Sequence, residues 1–324
     1  MTPSTKPSEG ARFGRALIIA NPVAQMGAGA RIAGELQRFL SLYLRGDGPF
    51  ELVETERAGH ATELAARAAG YDTVIALGGD GAAHEVANGL MRLPAHERPA
   101  LCLVPAGSGN DFARTLGITD WHGTSFEWLT RCETRPMDVG RIDGIGTDGA
   151  AFTEYYLQTC SFGLDAAIAL GTMRLRQTTP LRGDLLYTVS GLDVFVLRYR
   201  RFPVTVSIDG AAPQEMQSII FAMQIGPTYG SGFRICPDAD PSDGLLDVCH
   251  AAGPIPRIVA LPLLLRAKTG AHVGSKHVHL QRARRVALSF AQADYPIQAD
   301  GEKILATSME VGIVPGALRV LRPR

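Results

Sequence analysis

Two stretches decide the fold: Thr73–Leu90, TVIALGGDGAAHEVANGL, and Ala100–Leu116, ALCLVPAGSGNDFARTL. Each begins as a short apolar run of strand length, breaks into a glycine-bearing turn and continues with helical spacing. A turn from a strand into a helix places unpaired backbone N–H groups at a helix N-terminus, where the helix dipole favours an anion. Glycine lets this backbone approach a ligand because no Cβ stands in the way. Two such turns in series therefore predict a phosphate site at adjacent strand ends.

Both turns also carry a carboxylate, Asp80 in the first and Asp111 in the second. An acid beside a phosphate repels it unless a cation intervenes, so the pair favours a Mg²⁺-bound nucleotide over a bare phosphate. The alternative is two ordinary tight turns in which both aspartates act only as helix caps. Neither turn matches G-x-x-x-x-G-K-[ST] or G-x-G-x-x-G, so the P-loop and dinucleotide fingerprints are not supported.

Residues 1–135 alternate strand patterns with helix patterns. This rhythm predicts a doubly wound parallel sheet with helices on both faces, whose ligands lie at the carboxyl ends of the strands. The predicted strands are Arg15–Ala20, Phe50–Thr55, Thr73–Leu77 and Ala100–Val104, and the first predicted helices are Ala30–Leu44 and His60–Ala69. The residues expected at the four converging strand ends are Asn21, Thr55, Gly78–Gly81 and Gly107–Asp111.

After about Arg135 the pattern changes to short strands separated by glycine, proline and aspartate turns, which is typical of an antiparallel β-sandwich. The predicted strands are Met137–Ile142, Tyr155–Cys160, Phe202–Ile208, Gln217–Gly226, Leu245–His250, Val278–Leu280, Arg285–Phe290 and Ile297–Ala299. A helical segment is predicted at Leu185–Leu197, and a last strand-like piece, Ala317–Leu321, could pack on either domain. The predicted architecture is an α/β domain over residues 1–135, with 312–324 as a candidate completion, and a β-sandwich over 136–311.

Composition limits the class of protein. The 324 residues suggest about two domains, and 32 Lys and Arg balance 32 Asp and Glu. No nucleic-acid partner is expected, because no net charge draws the chain to a polyanion. Five dispersed cysteines without a C-x-x-C pair indicate reduced thiols in a cytoplasmic protein. The N-terminus carries no apolar signal core.

Two acidic turns in the second half are candidate sites. Pro237–Asp247, PDADPSDGLLD, groups carboxylates and carbonyls that suit a hard cation such as Mg²⁺ or Ca²⁺, although a solvated acidic turn explains it equally well. Gln298–Lys303, QADGEK, contains the Asp-Gly pair of a hairpin turn. The functional alternative is a carboxylate at a strand end that accepts a hydroxyl proton during attack on a γ-phosphate.

Histidines and basic clusters give weaker signals. His60 and His84 are expected on helix surfaces or in packing. Tyr199–Arg201 and Arg282–Arg285 are local basic clusters, which beside an apolar groove could touch anionic lipid headgroups. The apolar run Ile255–Leu265 is expected in the core, because it is too short to span a bilayer and contains two prolines.

Taken together, these residues resemble the catalytic domain of the diacylglycerol kinase family, in particular the soluble bacterial lipid kinases that are related to sphingosine kinases and NAD kinase. The resemblance covers about Ala16 to Val314. The ordered elements that carry it are Asn21-Pro22, GGDG at Gly78–Gly81, GSGNDFA at Gly107–Ala113, MDVG at Met137–Gly140, PDADPSDGLLDV at Pro237–Val248 and DGE at Asp300–Glu302.

The resemblance implies a nucleotide half similar to NAD kinase and phosphofructokinase, a β-sandwich second half, and ATP in the cleft between them. It assigns Asp80 to the catalytic Mg²⁺, Asp300 to the general base with Glu302 in the catalytic set, and Asp138 to orienting that network. It assigns a second, structural Mg²⁺ to Asp240, Asp243 and the carbonyl of Leu245. The residues implied to bind the nucleotide are Asn21, Thr55, Gly78, Gly79, Asp80, Gly81, Ala82, Ala83, His84, Gly107, Ser108, Asn110 and Asp111.

The chain departs from the family pattern at three places. The Asn-Pro pair is followed by Val23–Gly27 in place of a Ser-Gly-rich turn, Ala82 stands where Thr is usual, and Ile225 stands where Asn is frequent. None of these changes removes a carboxylate that the chemistry needs.

The resulting hypothesis is an ATP- and Mg²⁺-dependent kinase for a hydroxyl of a membrane lipid. The enzyme would be cytoplasmic and would dock transiently on the inner face of the membrane. A homodimer is left open, since sandwich edges often pair between chains. The alternatives are a kinase for a soluble substrate, of the NAD kinase type, and a non-catalytic protein that senses nucleotide or lipid.

Overall fold

The computed structural model describes residues 13–43, 48–119, 125–179, 189–191, 193–195, 199–292 and 294–324. The first half contains the predicted parallel strands, β1 (Ala16–Ala20), β2 (Phe50–Glu54), β3 (Thr73–Gly78) and β4 (Ala100–Pro105). They lie in the order β4-β3-β1-β2. The helices are α1 (Ala24–Gly27), α2 (Gly29–Tyr43), α3 (His60–Ala65), α4 (Asp80–Leu90) and α5 (Asp111–Thr115).

Helices cover both faces of this sheet. Ile18 belongs to the same buried cluster as Leu36 of α2 on one face, whereas Leu17 clusters with Val86 of α4 on the other. Every residue of β1, β3 and β4 is buried, as expected for parallel strands that are covered on both sides. The doubly wound prediction is confirmed, and all the strand ends point to the same edge.

Helix α3 is shorter than the predicted helix His60–Ala69, because it ends at Ala65. The next residues tighten into i→i+3 turns, in which Arg67 N–H donates to Leu64 and Ala68 N–H donates to Ala65. The chain then reverses at Gly70, whose φ of +88° favours glycine, and enters β3 three residues later. An alanine-rich pattern in which Leu64 is the single long apolar side chain gave no signal for this early stop.

The second half is mainly antiparallel. Its strands are β5 (Cys132–Gly146), β6 (Ala151–Tyr156), β7 (Thr159–Gly163), β8 (Phe202–Ile208), β9 (Gln214–Gln224), β10 (Leu246–Ala252), β11 (Val278–Ala283), β12 (Arg285–Phe290), β13 (Ile297–Ala299), β14 (Glu302–Ile304) and β15 (Ala306–Pro323). Helices among the described residues of this half include α6 (Leu164–Thr178) and α7 (Arg257–Ala267).

Three predictions in this half need correction. The predicted strand Tyr155–Cys160 is the junction of β6 and β7, because the N–H groups of Leu157 and Gln158 donate to a side chain instead of a neighbouring strand. Helix α6 was not predicted. The run Ile255–Leu265, predicted in the core, contains most of α7, and one face of this helix is exposed.

The predicted helix Leu185–Leu197 lies largely outside the described residues, since only residues 189–191 and 193–195 of it are described, and these are helical. Among the helices in the described ranges, none is both long and apolar enough to cross a bilayer.

Strand β15 joins the two halves into one hydrogen-bonded sheet. It pairs with β5 and β12 along most of its length, and after a register shift between Val314 and Leu318 it pairs in parallel with β4 through Val320 and Leu321. The largest buried cluster is also continuous across the halves, because Leu103 of β4 and Phe221 of β9 both belong to it. The two halves therefore share one core.

Asn88 forms a polar joint between the halves. Its Nδ2 donates to the Tyr155 carbonyl at 2.8 Å and its Oδ1 accepts from the Tyr155 N–H at 2.9 Å, so α4 is attached to β6. Because Asn88 is 8% exposed, its removal leaves two backbone groups without this partner.

We expect Asn88→Ala to lower the free energy of unfolding by about 2–4 kcal/mol, the cost of leaving buried polar groups unpaired. Urea unfolding followed by fluorescence measures the change. Ser41→Ala, which removes an exposed hydroxyl bonded to the carbonyl of Gln37, is the control and should change stability by less than about 0.5 kcal/mol. Equal effects of the two variants would contradict the joint.

Candidate active site

The two glycine turns are in direct backbone contact. Gly78 pairs with Pro105 at the ends of β3 and β4, which brings Gly79 against Gly107. A Cβ built on Gly79 would lie 2.9 Å from the Cα of Gly107, and a Cβ on Gly107 would overlap the Cα of Gly79. Glycine is therefore required at both positions by close approach. The predicted convergence of the two turns is present.

The second turn is closed by Asn110. This residue has the left-handed φ of +53° that asparagine tolerates, and its Oδ1 accepts from the Gly107 N–H while its Nδ2 donates to the Gly107 carbonyl, both at 3.0 Å. Ser108 and Gly109 form the tip of the turn. The side chain of Asn110 thus builds the turn rather than reaching for a ligand.

The first turn leads into α4. Gly79 is an extended N-cap, and the helix starts at Asp80, so the N–H groups of Asp80 and Gly81 precede any intrahelical acceptor. Ala82 and Ala83 differ from them, because both their N–H groups donate to the Gly79 carbonyl, at 3.0 and 3.2 Å. Among the predicted nucleotide ligands in this turn, Asp80 and Gly81 therefore have the N–H groups that are better placed to bind a phosphate.

Asn21 and Thr55 lie at the same edge. The Asn21 N–H donates to the carbonyl of Leu77, and the Thr55 N–H donates to that of Ala20. The Asn21 side chain accepts from the Val23 N–H at 3.1 Å and so shapes the turn after β1. The structure thus places Asn21 at the end of β1, the neighbour of β3, and Thr55 at the end of β2, one strand further away.

The carboxylates of Asp80 and Asp111 interact through their charges. Burial raises the pKa of Asp80, the N–H groups of Phe112, Asp111 and Asn110 oppose the shift, and the charge of Asp300 adds to it. Burial, and then the charge of Asp80, raises the pKa of Asp111 to about 7. The site therefore concentrates negative charge that only partial protonation or a cation can relieve.

Asp111 also connects the second turn to the second half of the chain. Its Oδ1 accepts from the Gly232 N–H and its Oδ2 from the Ser231 N–H, both at 2.8 Å. Asp80 accepts from the Phe112 N–H at 2.9 Å and so connects the two turns. Both aspartates are structural links here, beyond the helix caps that the sequence alone allowed.

Asp300 lies at the centre of the cleft with 2% of its side chain exposed. Its Oδ2 accepts from the Leu157 N–H at 2.7 Å, and its Oδ1 accepts from the N–H groups of Gln158 and Thr159 at 2.9 and 3.0 Å. The Nδ1 of His84 lies 3.2 Å from Oδ2. A carboxylate offers about four acceptor positions. These four contacts therefore occupy the acceptor positions of Asp300.

His84 is buried, as one of the two expected positions required, but its ring pairs with two carboxylates, which the sequence did not indicate. Its Nε2 lies 3.0 Å from Glu154 Oε1, and its ring therefore bridges Glu154 and Asp300. Burial alone would lower the pKa of His84, but the hydrogen bonds to Asp300 and Glu154 outweigh it and raise the pKa to about 10. Both ring nitrogens are engaged, which leaves none for a phosphate.

Glu302 is the carboxylate that faces the first turn. A Cβ on Gly81 would lie 3.5 Å from its Oε1. Partial burial raises the pKa of Glu302, as do the nearby carboxylates of Glu85, Glu154 and Asp300, while His84 opposes the shift.

Asp138 does not join this network, so its predicted orienting role is corrected. Its Oδ2 accepts from the Gly244 N–H at 2.6 Å and its Oδ1 from the Gly316 N–H at 2.7 Å. Asp138 therefore attaches the acidic loop Pro237–Asp247 to the register shift in β15. The position of Asp138 within MDVG gave no indication that its partners are Gly244 and Gly316.

The acidic loop is closed by its own hydrogen bonds. Asp240 Oδ1 accepts from the N–H and Oγ of Ser242, at 3.0 and 2.7 Å, and Asp243 Oδ1 accepts from the Leu245 N–H at 3.0 Å. The second Mg²⁺ at Asp240, Asp243 and Leu245 stays a prediction, because two of its ligands already use an oxygen to form these turns.

The comparisons with known proteins agree with this geometry. The model of the diacylglycerol kinase catalytic domain matches residues 15–142, and that of the YegS C-terminal NAD kinase beta sandwich-like domain matches residues 158–322. A diacylglycerol kinase of Mycobacterium tuberculosis (strain ATCC 25618 / H37Rv) is 32% identical over 318 residues, which is 96% of each chain. The chain belongs to the diacylglycerol kinase family.

Other relatives support the same assignment for this lipid kinase. A YegS-like lipid kinase of Pseudomonas aeruginosa (strain UCBPP-PA14) is 30% identical over 264 residues, 80% of this chain and 79% of the relative. The crystal structure of a diacylglycerol kinase from Bacillus anthracis str. Sterne has a TM-score of 0.73 at 22% identity and covers 96% of this chain and 97% of that one. The predicted family and the two-part fold with a β-sandwich are confirmed.

The sequence missed two residues of the lipid kinase's cleft. Glu154 is one of the two carboxylates that hold His84, and Asn88 contacts the same histidine, with Nδ2 3.3 Å from Nε2. Neither lies in a glycine turn or an acidic cluster, so no local pattern marked them. The signal that was available is the i, i+4 spacing of His84 and Asn88 on one helix face.

A cavity of about 570 Å³ lies beside the cleft of the lipid kinase. Its lining includes Thr62 of α3, Asn88 and Arg92 near α4, and Arg141 and Glu154 of the adjoining strands. No residue of the two glycine turns lines it.

We expect the ion pairs of His84 to make stability depend on pH. The folded-state pKa of about 10 lies above the ordinary histidine value of 6.5, so the stabilisation is complete below pH 6.5 and is lost as the pH rises through 10. Over that range the free energy of unfolding should fall by about 1.4 kcal/mol per pH unit more steeply than in His84→Gln. Denaturant unfolding at a series of pH values measures both slopes.

The control is His96→Gln, which changes a histidine whose side chain is 80% exposed and should leave the wild-type curve in place. Parallel curves for wild type and His84→Gln would contradict a charged His84.

Proposed function

We propose that this lipid kinase transfers the γ-phosphate of ATP to a hydroxyl of a membrane lipid of the diacylglycerol type. The observation that carries the proposal is the contact of Gly79 with Gly107 at the strand ends, beside Asp300 and Glu302 from the second half. The names of the relatives support the substrate class, and the glycine turns support a polyphosphate donor. Because the acceptor is in a bilayer, the enzyme is proposed to dock transiently at the cytoplasmic face.

In this proposal the phosphates of ATP lie against the turn tips. The N–H groups of Asp80 and Gly81 and the tip Ser108–Gly109 are the donors, and Asn21 and Thr55 lie beside them. Gly79 and Gly107 allow the two turns to touch, which brings these donors to one place. His84 holds Asp300 in place from behind rather than contacting the nucleotide.

Mg²⁺ fits this site as part of the nucleotide complex. Within the described ranges, no group of three or more His, Cys, Asp or Glu side chains is arranged to hold a metal ion. Mg²⁺ bound to a nucleotide needs only one or two carboxylates, since phosphate oxygens and waters complete its shell. Asp80 suits this role by its place at the N-terminus of α4, beside the proposed phosphate donors, while the N–H groups of Phe112, Asp111 and Asn110 hold its carboxylate there. When bound, the ion would neutralise charge on the transferring phosphate.

Two carboxylates are candidates to accept the proton of the attacking hydroxyl. Asp300 is the proposed base by its match to the family, although an N–H or His84 contact must open for it to take a proton. Glu302 is the alternative, because its raised pKa and its position against Gly81 suit proton transfer.

We expect Asp300→Asn to lower kcat by about 10²–10⁴-fold, the range for loss of a general base, with little change in the Kd for ATP. Timed assays of labelled-phosphate transfer to diacylglycerol in mixed micelles measure kcat. Calorimetry measures the Kd for ATP. Glu302→Gln is the comparison, and Glu310→Gln, in which an exposed carboxylate on β15 changes, is the control.

Normal turnover by Asp300→Asn would remove Asp300 from the role of base. A loss in kcat confined to Glu302→Gln would assign that role to Glu302 instead.

The soluble-substrate alternative is tested with the same label. Labelled ATP is offered with detergent-solubilised lipids and, separately, with NAD. We expect label in phospholipid and none in NADP, since the proposed acceptor is a lipid hydroxyl. Label in NADP alone would contradict the lipid proposal, and nucleotide binding without turnover on a broad lipid panel would favour a sensing protein.

A further inference from the structure

Helix α7 (Arg257–Ala267) presents large apolar side chains to solvent. Ile258 is 83% exposed, Leu261 45% and Leu265 63%. Their spacing of three and four residues places them on one face of the helix. We call this set, Ile258, Leu261 and Leu265, the α7 stripe. A contiguous exposed apolar face of this kind marks an interaction surface.

The opposite face of α7 anchors the helix in the protein. Ala260 is buried, and Val259 and Leu264 pack in the same cluster against Leu164 and Ile219. The buried face thus fixes the orientation of the helix. The α7 stripe stays exposed in the folded protein, because the opposite face of the helix packs against the buried cluster.

The stretch of sequence that contains α7 carries charge of one sign. Between Asp247 and Asp294 the chain contains seven Lys and Arg and no Asp or Glu, although its total charge is zero. At roughly 100° per residue, Arg257 and Lys268 lie on one side of the α7 stripe and Arg266 on the other. Among the described residues, no carboxylate forms an ion pair with any of these three cations.

Two of the cations are held near the helix surface by aromatic rings. The guanidinium of Arg257 lies 5.6 Å from the ring centroid of Tyr199, and the ammonium of Lys268 lies 5.7 Å from that of Phe233. A helix that is apolar on its exposed side as well as on its buried side, with basic side chains on both flanks, suits a bilayer surface, where cations meet anionic headgroups and apolar side chains meet the acyl chains.

We propose that the α7 stripe and its flanking cations dock this protein on an anionic lipid bilayer. The proposal rests on the lipid-kinase function proposed above and names the surface that brings the enzyme to its substrate. A second copy of the chain is a poorer occupant, because a two-fold contact through α7 would bring the same cations face to face. One 11-residue helix also offers less than the roughly 800 Å² per partner that a stable interface buries.

The position of α7 suits a lipid acceptor. Leu164 packs beneath α7 and directly follows β7. Thr159, the first residue of β7, lies five residues earlier, and its N–H donates to Asp300. At about 3.3 Å per residue this is about 17 Å. The proposed docking surface and the carboxylate proposed as the base are therefore joined by one strand of about 17 Å.

The test compares the double variant Leu261→Glu/Leu265→Glu with wild type and with Leu42→Glu. Leu42 is a matched control, because it lies on α2 and is 59% exposed. Vesicles of phosphatidylglycerol and phosphatidylcholine are sedimented with each protein. Phosphorylation is measured on long-chain diacylglycerol in these vesicles and on a dihexanoyl diacylglycerol dissolved as monomers. Circular dichroism confirms that each variant is folded.

We expect the double variant to lose at least tenfold in vesicle binding and in activity on vesicles, with activity on the dissolved lipid within twofold of wild type. Leu42→Glu should behave as wild type in all assays. Arg257→Gln/Lys268→Gln should bind the anionic vesicles less tightly and depend less on salt.

Vesicle binding by the double variant equal to that of wild type, or no binding by wild type, would overturn the docking surface. A wild-type dimer that becomes monomeric in the double variant, seen by sedimentation equilibrium, would overturn it in favour of self-association. Stripe-dependent vesicle binding without phosphorylation of either lipid would support the docking surface while refuting the proposed function.

Discussion

The ionic hydrogen bond between His84 and Asp300 joins two residues that are 216 positions apart and lie in different halves of the chain. The same carboxylate accepts the N–H groups of residues 157–159, which breaks one extended segment into β6 and β7. Removal of one partner would leave the other charge buried and unpaired, which typically costs about 3–5 kcal/mol. The arrangement of the cleft therefore depends on one carboxylate that is held from four directions.

Electrostatics set the conditions for any anionic ligand in this cleft. Burial raises the pKa of Asp80 and of Asp111; the charge of Asp300 adds to the shift of Asp80, and the charge of Asp80 adds to that of Asp111. The compensating positive potential comes from the N-terminus of α4 and from His84. A triphosphate would add further negative charge, so a site of this composition favours a phosphate that arrives with a divalent cation. This reasoning supports the Mg²⁺–nucleotide proposal.

Much of the fold could be predicted from the sequence because its signals are local. Buried parallel strands are continuous apolar runs, and the turns at Gly79 and Gly107 require glycine for contacts within a few residues of each strand end. The role of His84 could not be predicted, since it depends on Glu154 and Asp300 being brought to the two sides of one ring. Long-range pairing of this kind leaves no periodic trace in the chain.

The exposed face of α7 was missed for a related reason. An apolar run with two prolines reads as core when hydrophobicity is the only signal, and the direction in which a helix faces depends on which of its sides finds a partner. Asp138 shows the same limit for polar residues, because its N–H partners belong to Gly244 and Gly316. Sequence patterns located the carboxylates, whereas tertiary contacts decided which of them share a site.

The central claim is that the two glycine turns and Asp300 form one nucleotide cleft. A crystal structure with Mg²⁺ and a non-hydrolysable ATP analogue tests this most directly. The account predicts that the β- and γ-phosphates lie within hydrogen-bond distance of the N–H groups of Asp80, Gly81 and Ser108, on the side that Glu302 faces. A triphosphate bound instead in the cavity lined by Thr62, Arg92 and Arg141, away from both turns, would contradict it.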